Sequence, residues 1–401
     1  MRILFLAQRV PYPPDRGDKI TTYHEIRHLG RTHEVVVACL ADGPDDLQHV
    51  DALRPLAAAI DAVALSHAGA HRRALAALMT GAPLTVAYFN QPQLHARVRA
   101  RLQQQRFDAV LVYGSGMAQF VENVDHIPRI MQFADLDSQK WRQFARWSRP
   151  PSRWLYRLEA RRLLRYERRL AARFEHSVVC TTAERKDFER LIPGRPVTCV
   201  GNGIDLEYFA PRHMAKQPNS IVFTGIMDYL PNADAAVWFC RDVLPLIRAR
   251  IPTATVTICG ARPAPAVETL RQIPSVTVTG RVPDVRPFLR AASVAVVPLR
   301  MARGVQNKLL EAMAMGLPVV ATSCAFNGVE AQPGVHALVA DESEAFAAAV
   351  VRLLANDALR TQLSQAARAC MERNYRWETQ LARLDAILAV ETGSQLHRHA
   401  S

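Results

Sequence analysis

The strongest constraint on what this chain can fold into is a series of short, unbroken apolar runs separated by stretches of helical character. The runs at 2–7, 34–40, 109–113, 130–133 and 177–180 are rich in Val, Ile, Leu and Phe and do not alternate with polar residues. Unbroken runs of this kind mark strands covered on both faces, so a parallel sheet clad in helices is predicted. The rhythm restarts at 220–223 and continues through 254–259, 276–279, 294–298, 318–321 and 337–339, followed by helical segments at 342–354, 358–372 and 377–390. Residues 211–219 between the two series are polar and hold Pro211 and Pro218, as a linker would. Two α/β domains in tandem are expected, at 1–210 and 218–375, with a last helix at 376–390 and a frayed tail at 391–401; a length of 401 residues accommodates both. Doubly wound sheets bind ligands at the carboxyl ends of their strands, where helix N-termini offer free amides. A cleft between two such domains suits a substrate bearing phosphates.

Composition removes other classes. A hydrophobic share of 49%, with 18 Gly and 25 Pro, excludes disordered and fibrous chains. No apolar run approaches the roughly 20 residues that span a bilayer, and the apolar start at 3–7 is too short for a signal peptide. A soluble cytoplasmic protein is the expected default. The seven cysteines stand singly, without metal-ligand spacing, and read as buried free thiols in a reducing compartment.

The densest signals lie between Val294 and Ala321. A buried strand runs through Pro298 into Arg300-Met-Ala-Arg303-Gly304, then Val-Gln306-Asn307-Lys308-Leu-Leu-Glu311-Ala-Met-Ala-Met-Gly316, then Leu-Pro318-Val-Val-Ala321. This reads as strand, glycine turn, helix, glycine C-cap and strand. Lys308 and Glu311 are three apart and share one face of the helix's first turns. A carboxylate there can accept hydrogen bonds from two vicinal ribose hydroxyls, and the nearby amides with Lys308 and Arg303 can hold a diphosphate. The plain alternative is a surface Lys–Glu pair.

On these residues the chain resembles the retaining glycosyltransferases of the GT-B fold, group 4. Glu311-Ala-Met-Ala-Met-Gly-Leu-Pro-Val-Val320 matches their donor-site signature. Asn202-Gly-Ile-Asp205 is similar to their domain-junction element, Phe223-Thr-Gly225 and Ile258-Cys-Gly260 to the first two strand ends of the donor domain, and Val278-Thr-Gly-Arg-Val282 to the segment beside the nucleotide base. Tyr375-x-Trp377 resembles the motif before the final helix. The resemblance implies two Rossmann-like domains facing a cleft, with that helix crossing back to the first domain. Pro11-Tyr-Pro-Pro-x-x-Gly17-Asp-Lys19, Asp137-Ser-x-Lys-Trp141, Met227-Asp-Tyr-x-Pro-Asn232 and Arg303-Gly-x-Gln-Asn-Lys308 look like the sugar transferases associated with exosortase/PEP-CTERM exopolysaccharide clusters.

Carried over residue by residue, the resemblance assigns donor binding to Gly17, Gly225, Asn232, Arg262, Arg303, Gly304, Gln306, Asn307, Lys308 and Glu311. Two departures stand out. The family places a second glutamate eight positions before Glu311, and here that position is Arg303. The usual Arg and Lys are absent between Gly225 and Asn232, and Arg303, Lys308 and Arg262 are the nearest substitutes. Gly17 fits either a loop over the donor phosphates or a simple turn. Asp135 and Asp137 follow a buried strand; they are the candidate catalytic or acceptor-binding carboxylates, although Asp137 also suits a plain helix cap. The pair invites a metal reading as well, because another glycosyltransferase fold uses Asp-x-Asp that way; the GT-B motifs elsewhere argue for no metal and no cofactor beyond the UDP- or GDP-linked sugar.

The net charge of +13 is concentrated. Residues 140–173 hold twelve Lys and Arg against Glu159 and Glu167 alone. Trp141, Trp147 and Trp154 lie among these cations, and Pro150 and Pro151 divide the segment into two helices. Cations on one face with aromatics at its border suit an anionic membrane interface, with Trp147, Trp154, Arg153, Arg157 and Arg161 facing it. The competing readings are a solvated helix that packs its leucines on the sheet, and nucleic-acid binding, which no recognition motif accompanies. The expected activity is a hexosyltransferase-type glycosyltransferase, peripheral at the inner face of the plasma membrane. It would move a sugar from a nucleotide diphosphate to a lipid-linked or polysaccharide acceptor in exopolysaccharide synthesis, with retention of configuration. The alternatives are a nucleotide-sugar 2-epimerase of the same fold and a non-catalytic membrane-peripheral assembly protein.

Overall fold

The computed structural model describes residues 1–211 and 216–398. Two compact units divide the chain, one formed by residues 1–201 and 380–401, the other by 202–379.

In the first unit seven parallel strands form one sheet: β1 (Arg2–Ala7), β2 (Glu34–Ala41), β3 (Ala59–Ala64), β4 (Ala109–Tyr113), β5 (Arg129–Ala134), β6 (His176–Val179) and β7 (Val197–Cys199), in the order β3-β2-β1-β4-β5-β6-β7. Every residue of β4, and all but the first of β1 and β2, is buried, as strands with helices on both faces require. The helices used below are α1 (Gly17–Leu29), α2 (His67–Thr80), α3 (Leu84–Phe89), α4 (Asp137–Trp147), α5 (Ser152–Arg173) and α6 (Thr182–Leu191). The second unit has six parallel strands, β8 (Ser220–Thr224), β9 (Thr255–Cys259), β10 (Val276–Val278), β11 (Val294–Val297), β12 (Val319–Ala321) and β13 (Leu338–Val339), in the order β10-β9-β8-β11-β12-β13. Its helices include α7 (Asn307–Ala314) and α8 (Asp357–Asn374). In both sheets the strand order reverses beside the first strand, between β1 and β4 and between β8 and β11. At such a switch point the neighbouring loops part and open a crevice.

Two boundaries differ from the sequence reading. The first unit ends at Gly201 rather than near 210. The reason is local: Ile204 joins the second unit's core, its N–H bonds the Tyr375 carbonyl at 2.7 Å, and a Cβ on Gly203 would lie 2.6 Å from the Trp377 ring. The expected linker falls partly on 212–215, outside the described residues. The last helix, α9 (Trp377–Arg398), continues through the segment expected to fray; residues 399–401 lie outside the description. From Gln380 onward α9 belongs to the first unit. Gln380 accepts from the Gly201 N–H, Arg383 donates to the Cys199 carbonyl, and Asp385 and Glu391 meet His28 and His176 at 2.8 and 3.2 Å. All seven cysteines are free.

Candidate functional site

In the second unit the donor-binding candidates gather at the β8/β11 switch point. Gly225 follows β8, and Gly260 follows β9 so closely packed against it that a Cβ on Gly260 would stand 1.6 Å from the Gly225 carbonyl oxygen. No side chain fits there. The same crowding frames Gly225 itself: a Cβ would lie 2.8 Å from Asn232 Nδ2 and 3.3 Å from Lys308 Cε. Asn232 donates through Nδ2 to the Ile226 carbonyl at 2.9 Å, while its Oδ1 is buried with no hydrogen-bond partner. An orphaned buried acceptor beside a cation and a glycine turn is a feature of binding sites rather than of cores.

Beyond β11, Gly304 adopts φ +63°, a conformation that glycine enters without strain, and Gln306 Nε2 closes the turn on the Arg303 carbonyl at 2.8 Å. A Cβ on Gly328 would stand 2.1 Å from the Gly304 carbonyl oxygen, so Gly328 is part of this turn, and the sequence reading missed it because nothing local marks it. Helix α7 then begins after Gln306, whose side chain does not cap it, and among the described residues none is seen to do so. Its Asn307 accepts from Asn202 Nδ2 at 3.0 Å, and Arg368 of α8 binds the carbonyls of Leu206, Phe209 and Ala314. Residues 202–209 are thereby fastened along α7 at both of its ends, with Glu311 between the two fastenings. Tyr208, also unremarked in the sequence, is 42% exposed and carries the Arg286 guanidinium 3.6 Å from its ring centre. Its hydroxyl pKa is raised by burial and by the charges of Asp284 and Glu311.

Lys308 and Glu311 are linked by charge, yet among the described residues neither side chain makes a hydrogen bond or an ion pair. Burial pushes Lys308 down to about 8 against the pull of Glu311, and burial pushes Glu311 up to about 7 against the pull of Lys308. A carboxyl and an ammonium so shifted, in the first two turns of an uncapped helix, are groups held short of solvent and ready for an external partner. Arg262 differs. Its guanidinium is exposed and tied to Asp228, with Nε–Oδ2 at 2.7 Å, so much of its charge is already answered. Arg300 is likewise paired, with Asp234.

In the first unit Gly17 is the first residue of α1. The helix start is wrapped in ion pairs, with Arg9 reaching both Asp18 and Asp42 at 2.6 Å and Arg16 reaching Asp18 at 2.9 Å. Strand β5 ends in a register shift, and Ala134 takes φ +59°, a strained setting for a residue with a Cβ, which turns the chain toward Asp135 and Asp137. Asp137 does not cap α4. It is that helix's first residue and accepts from Ser115 Oγ at 2.8 Å, with Lys140 at 3.9 Å. The caps come instead from other helices: Glu167 of α5 accepts from the Ser138 N–H at 2.9 Å, and Glu184 of α6 from the Leu136 N–H at 3.3 Å. Among the described residues no group of three His, Cys, Asp or Glu is arranged to hold a metal ion.

The basic segment packs one face on the sheet and leaves another exposed. Leu163, Tyr166 and Leu170 are buried against the sheet, and Trp141 meets Tyr156 in a tilted ring contact with centroids 5.0 Å apart. Trp147 and Trp154 are 48% and 64% exposed, Arg157 and Arg161 are exposed, and Arg153 turns back to donate to the Ser148 carbonyl. Among the described residues no helix is long and apolar enough to cross a membrane.

Residues 218–356 match the sequence family described as "Glycosyl transferases group 1". No curated protein matches the chain's sequence. Among solved structures, the sucrose-phosphate synthase of Thermosynechococcus elongatus superposes with a TM-score of 0.75 at 15% identity, over 98% of this chain and 100% of that one. HepE of Anabaena, solved with UDP-glucose, gives 0.68 at 13% identity over 97% and 100%. A glycosyltransferase from Rickettsia africae gives 0.64 at 10% identity over 97% and 98%. The match places a glycosyltransferase group 1 domain over residues 218–356, in a chain that carries the GT-B fold from end to end.

Proposed function

We propose that this protein is a retaining glycosyltransferase that takes a hexose from a nucleotide diphosphate and passes it to a lipid-linked or polysaccharide acceptor in exopolysaccharide synthesis. The observation that carries this reading is the pair formed by Glu311 and Lys308, both without protein partners among the described residues, at the head of an uncapped helix in the matched domain. In it, Glu311 accepts from the ribose hydroxyls, while Lys308, Arg303 and the first amides of α7 neutralise the diphosphate as it leaves. Stabilising that developing charge is where such a site lowers its barrier. HepE was solved with UDP-glucose, which supports a uridine nucleotide as the first donor to test. Asp137, oriented by Ser115, and Asp135 are the carboxylates proposed to meet the acceptor hydroxyl. Arg157, Arg161, Trp147 and Trp154 support a peripheral position on an anionic membrane, where a lipid-linked acceptor would be found.

Calorimetry with UDP and GDP tests the reading, and binding of neither would overturn it. The pH dependence is specific. Glu311 must be ionised and Lys308 protonated, so affinity is expected to rise through about pH 7 and to fall above about pH 8. A flat profile over that range would remove both groups from the nucleotide site.

A further inference from the structure

Helix α2 of the first unit has no part in the sites above, yet its last two turns carry the most exposed large apolar side chains of that unit. Met79 is 91% exposed and Leu75 67%. They are four residues apart and so share a helix face. Two partly buried contacts fix this tip to α5. Arg162 donates to the carbonyls of Ala77, Leu78 and Ala82 at 2.9 to 3.1 Å, closing the end of α2, and Glu159 accepts from the Leu84 and Thr85 N–H groups and the Thr85 hydroxyl at 2.7 to 2.8 Å, closing the start of α3. Leu155 and Leu158 stand one turn before those two residues on α5 and are 40% and 38% exposed; Trp154 is 64% exposed beside them. The tip of α2 and the first turns of α5 are therefore tied together, and each leaves large apolar side chains exposed. A soluble surface rarely leaves so many large apolar groups together without a partner.

Charge identifies the partner. From Ser66 to Phe107 the chain contains no Asp or Glu, and from Ser138 to Arg173 the only two, Glu159 and Glu167, are buried. Arg72, Arg149, Arg157 and Arg161 are exposed around the platform. We infer that this platform is a bipartite docking surface for an anionic lipid bilayer, in which Leu75 and Met79 form a second anchor beside Trp154. One anchor leaves a protein free to pivot, whereas two on elements tied together set its orientation. Apolar side chains enter the acyl boundary while the arginines meet lipid phosphates. This inference rests on the peripheral position proposed above and adds to it the α2 anchor.

Co-sedimentation of the full chain with phosphatidylglycerol vesicles and with pure phosphatidylcholine vesicles tests it, with UDP calorimetry as an independent check on the second unit. The wild type is expected to bind the anionic vesicles preferentially. Met79→Glu is expected to weaken that binding about tenfold, the scale of one buried apolar side chain, with UDP affinity unchanged; the side chain is so exposed that folding is not at stake. Trp154→Glu should weaken it similarly. If Trp154→Glu weakens binding and Met79→Glu does not, the second anchor is overturned while the peripheral position stands. If the wild type binds neither vesicle, both fall. Equal binding to both vesicles overturns the anionic assignment. A dimeric wild type that Met79→Glu converts to a monomer makes the platform a self-interface and overturns the bilayer.

Discussion

Replacing Glu311 by Gln is expected to weaken UDP binding roughly 10–100-fold and, at pH 8, to make the free protein more stable. The first effect is the loss of an ionised acceptor, since hydrogen bonds to charged groups contribute about 1.5–3 kcal/mol. The second follows from linkage. Burial holds the Glu311 carboxyl at about 7, against an ordinary 4.5. A carboxyl raised in this way binds its proton more tightly in the folded than in the unfolded chain. Stability is therefore lost as pH rises from about 4.5 to 7 and stays lost above it. The cost at pH 8 is on the order of 1–3 kcal/mol, and it already includes the attraction of Lys308. Gln has no charge to desolvate, so the variant's advantage should open between pH 5 and 7 and persist to pH 8. Thermal melts across that range, with and without UDP, read both effects at once. A variant that melts below the wild type at pH 8 would mean that the carboxylate makes a structural contact, and its assignment to the nucleotide would fail.

That trade of stability for a ready ligand group was partly legible before the structure, because Lys308 and Glu311 sit three apart between a buried strand and a glycine cap. Strands β1, β2, β4, β8 and β11 were legible for a related reason: burial on both faces leaves a run with no polar interruption. Strand β3 was not, since it lies at the sheet edge with Asp61 at its centre, and four of its first five residues are only partly buried. Strand β7, three residues at the other edge, gave no period to read. The end of α9 was misjudged at Thr392-Gly393-Ser394, where weak helix formers are carried along by a helix already anchored through Glu391 and His176. What no local pattern can reveal is a cap supplied by another helix. Asp137 had the type of a cap, but it is the first residue of α4, and the Leu136 and Ser138 amides on either side of it are taken by Glu184 and Glu167 from other helices. Glu159 and Glu167 looked like incidental acids in a basic stretch. They are the two residues of that stretch whose carboxyl groups are turned inward, against the first amides of α3 and α4.

Glu159→Ala should therefore do what no neighbouring arginine substitution does. Its carboxylate is 1% exposed and accepts three hydrogen bonds at 2.7 to 2.8 Å, two from the first amides of α3 and one from the Thr85 hydroxyl. Alanine removes the acceptor of all three bonds and supplies none in its place. The expected loss is about 3–5 kcal/mol, which lowers the melting transition of the first unit by roughly 10 °C. Arg157→Ala, two positions earlier and exposed, is expected to stay within about 0.5 kcal/mol of the wild type. Glu159→Gln keeps one acceptor oxygen and should fall between them. Because the three hydrogen bonds lie wholly within the first unit, UDP affinity at temperatures below the transition should not change. If Glu159→Ala and Arg157→Ala melt alike, the acid contributes only charge, and the frame that holds α2 and α3 against α5 must be sought in Arg162 alone.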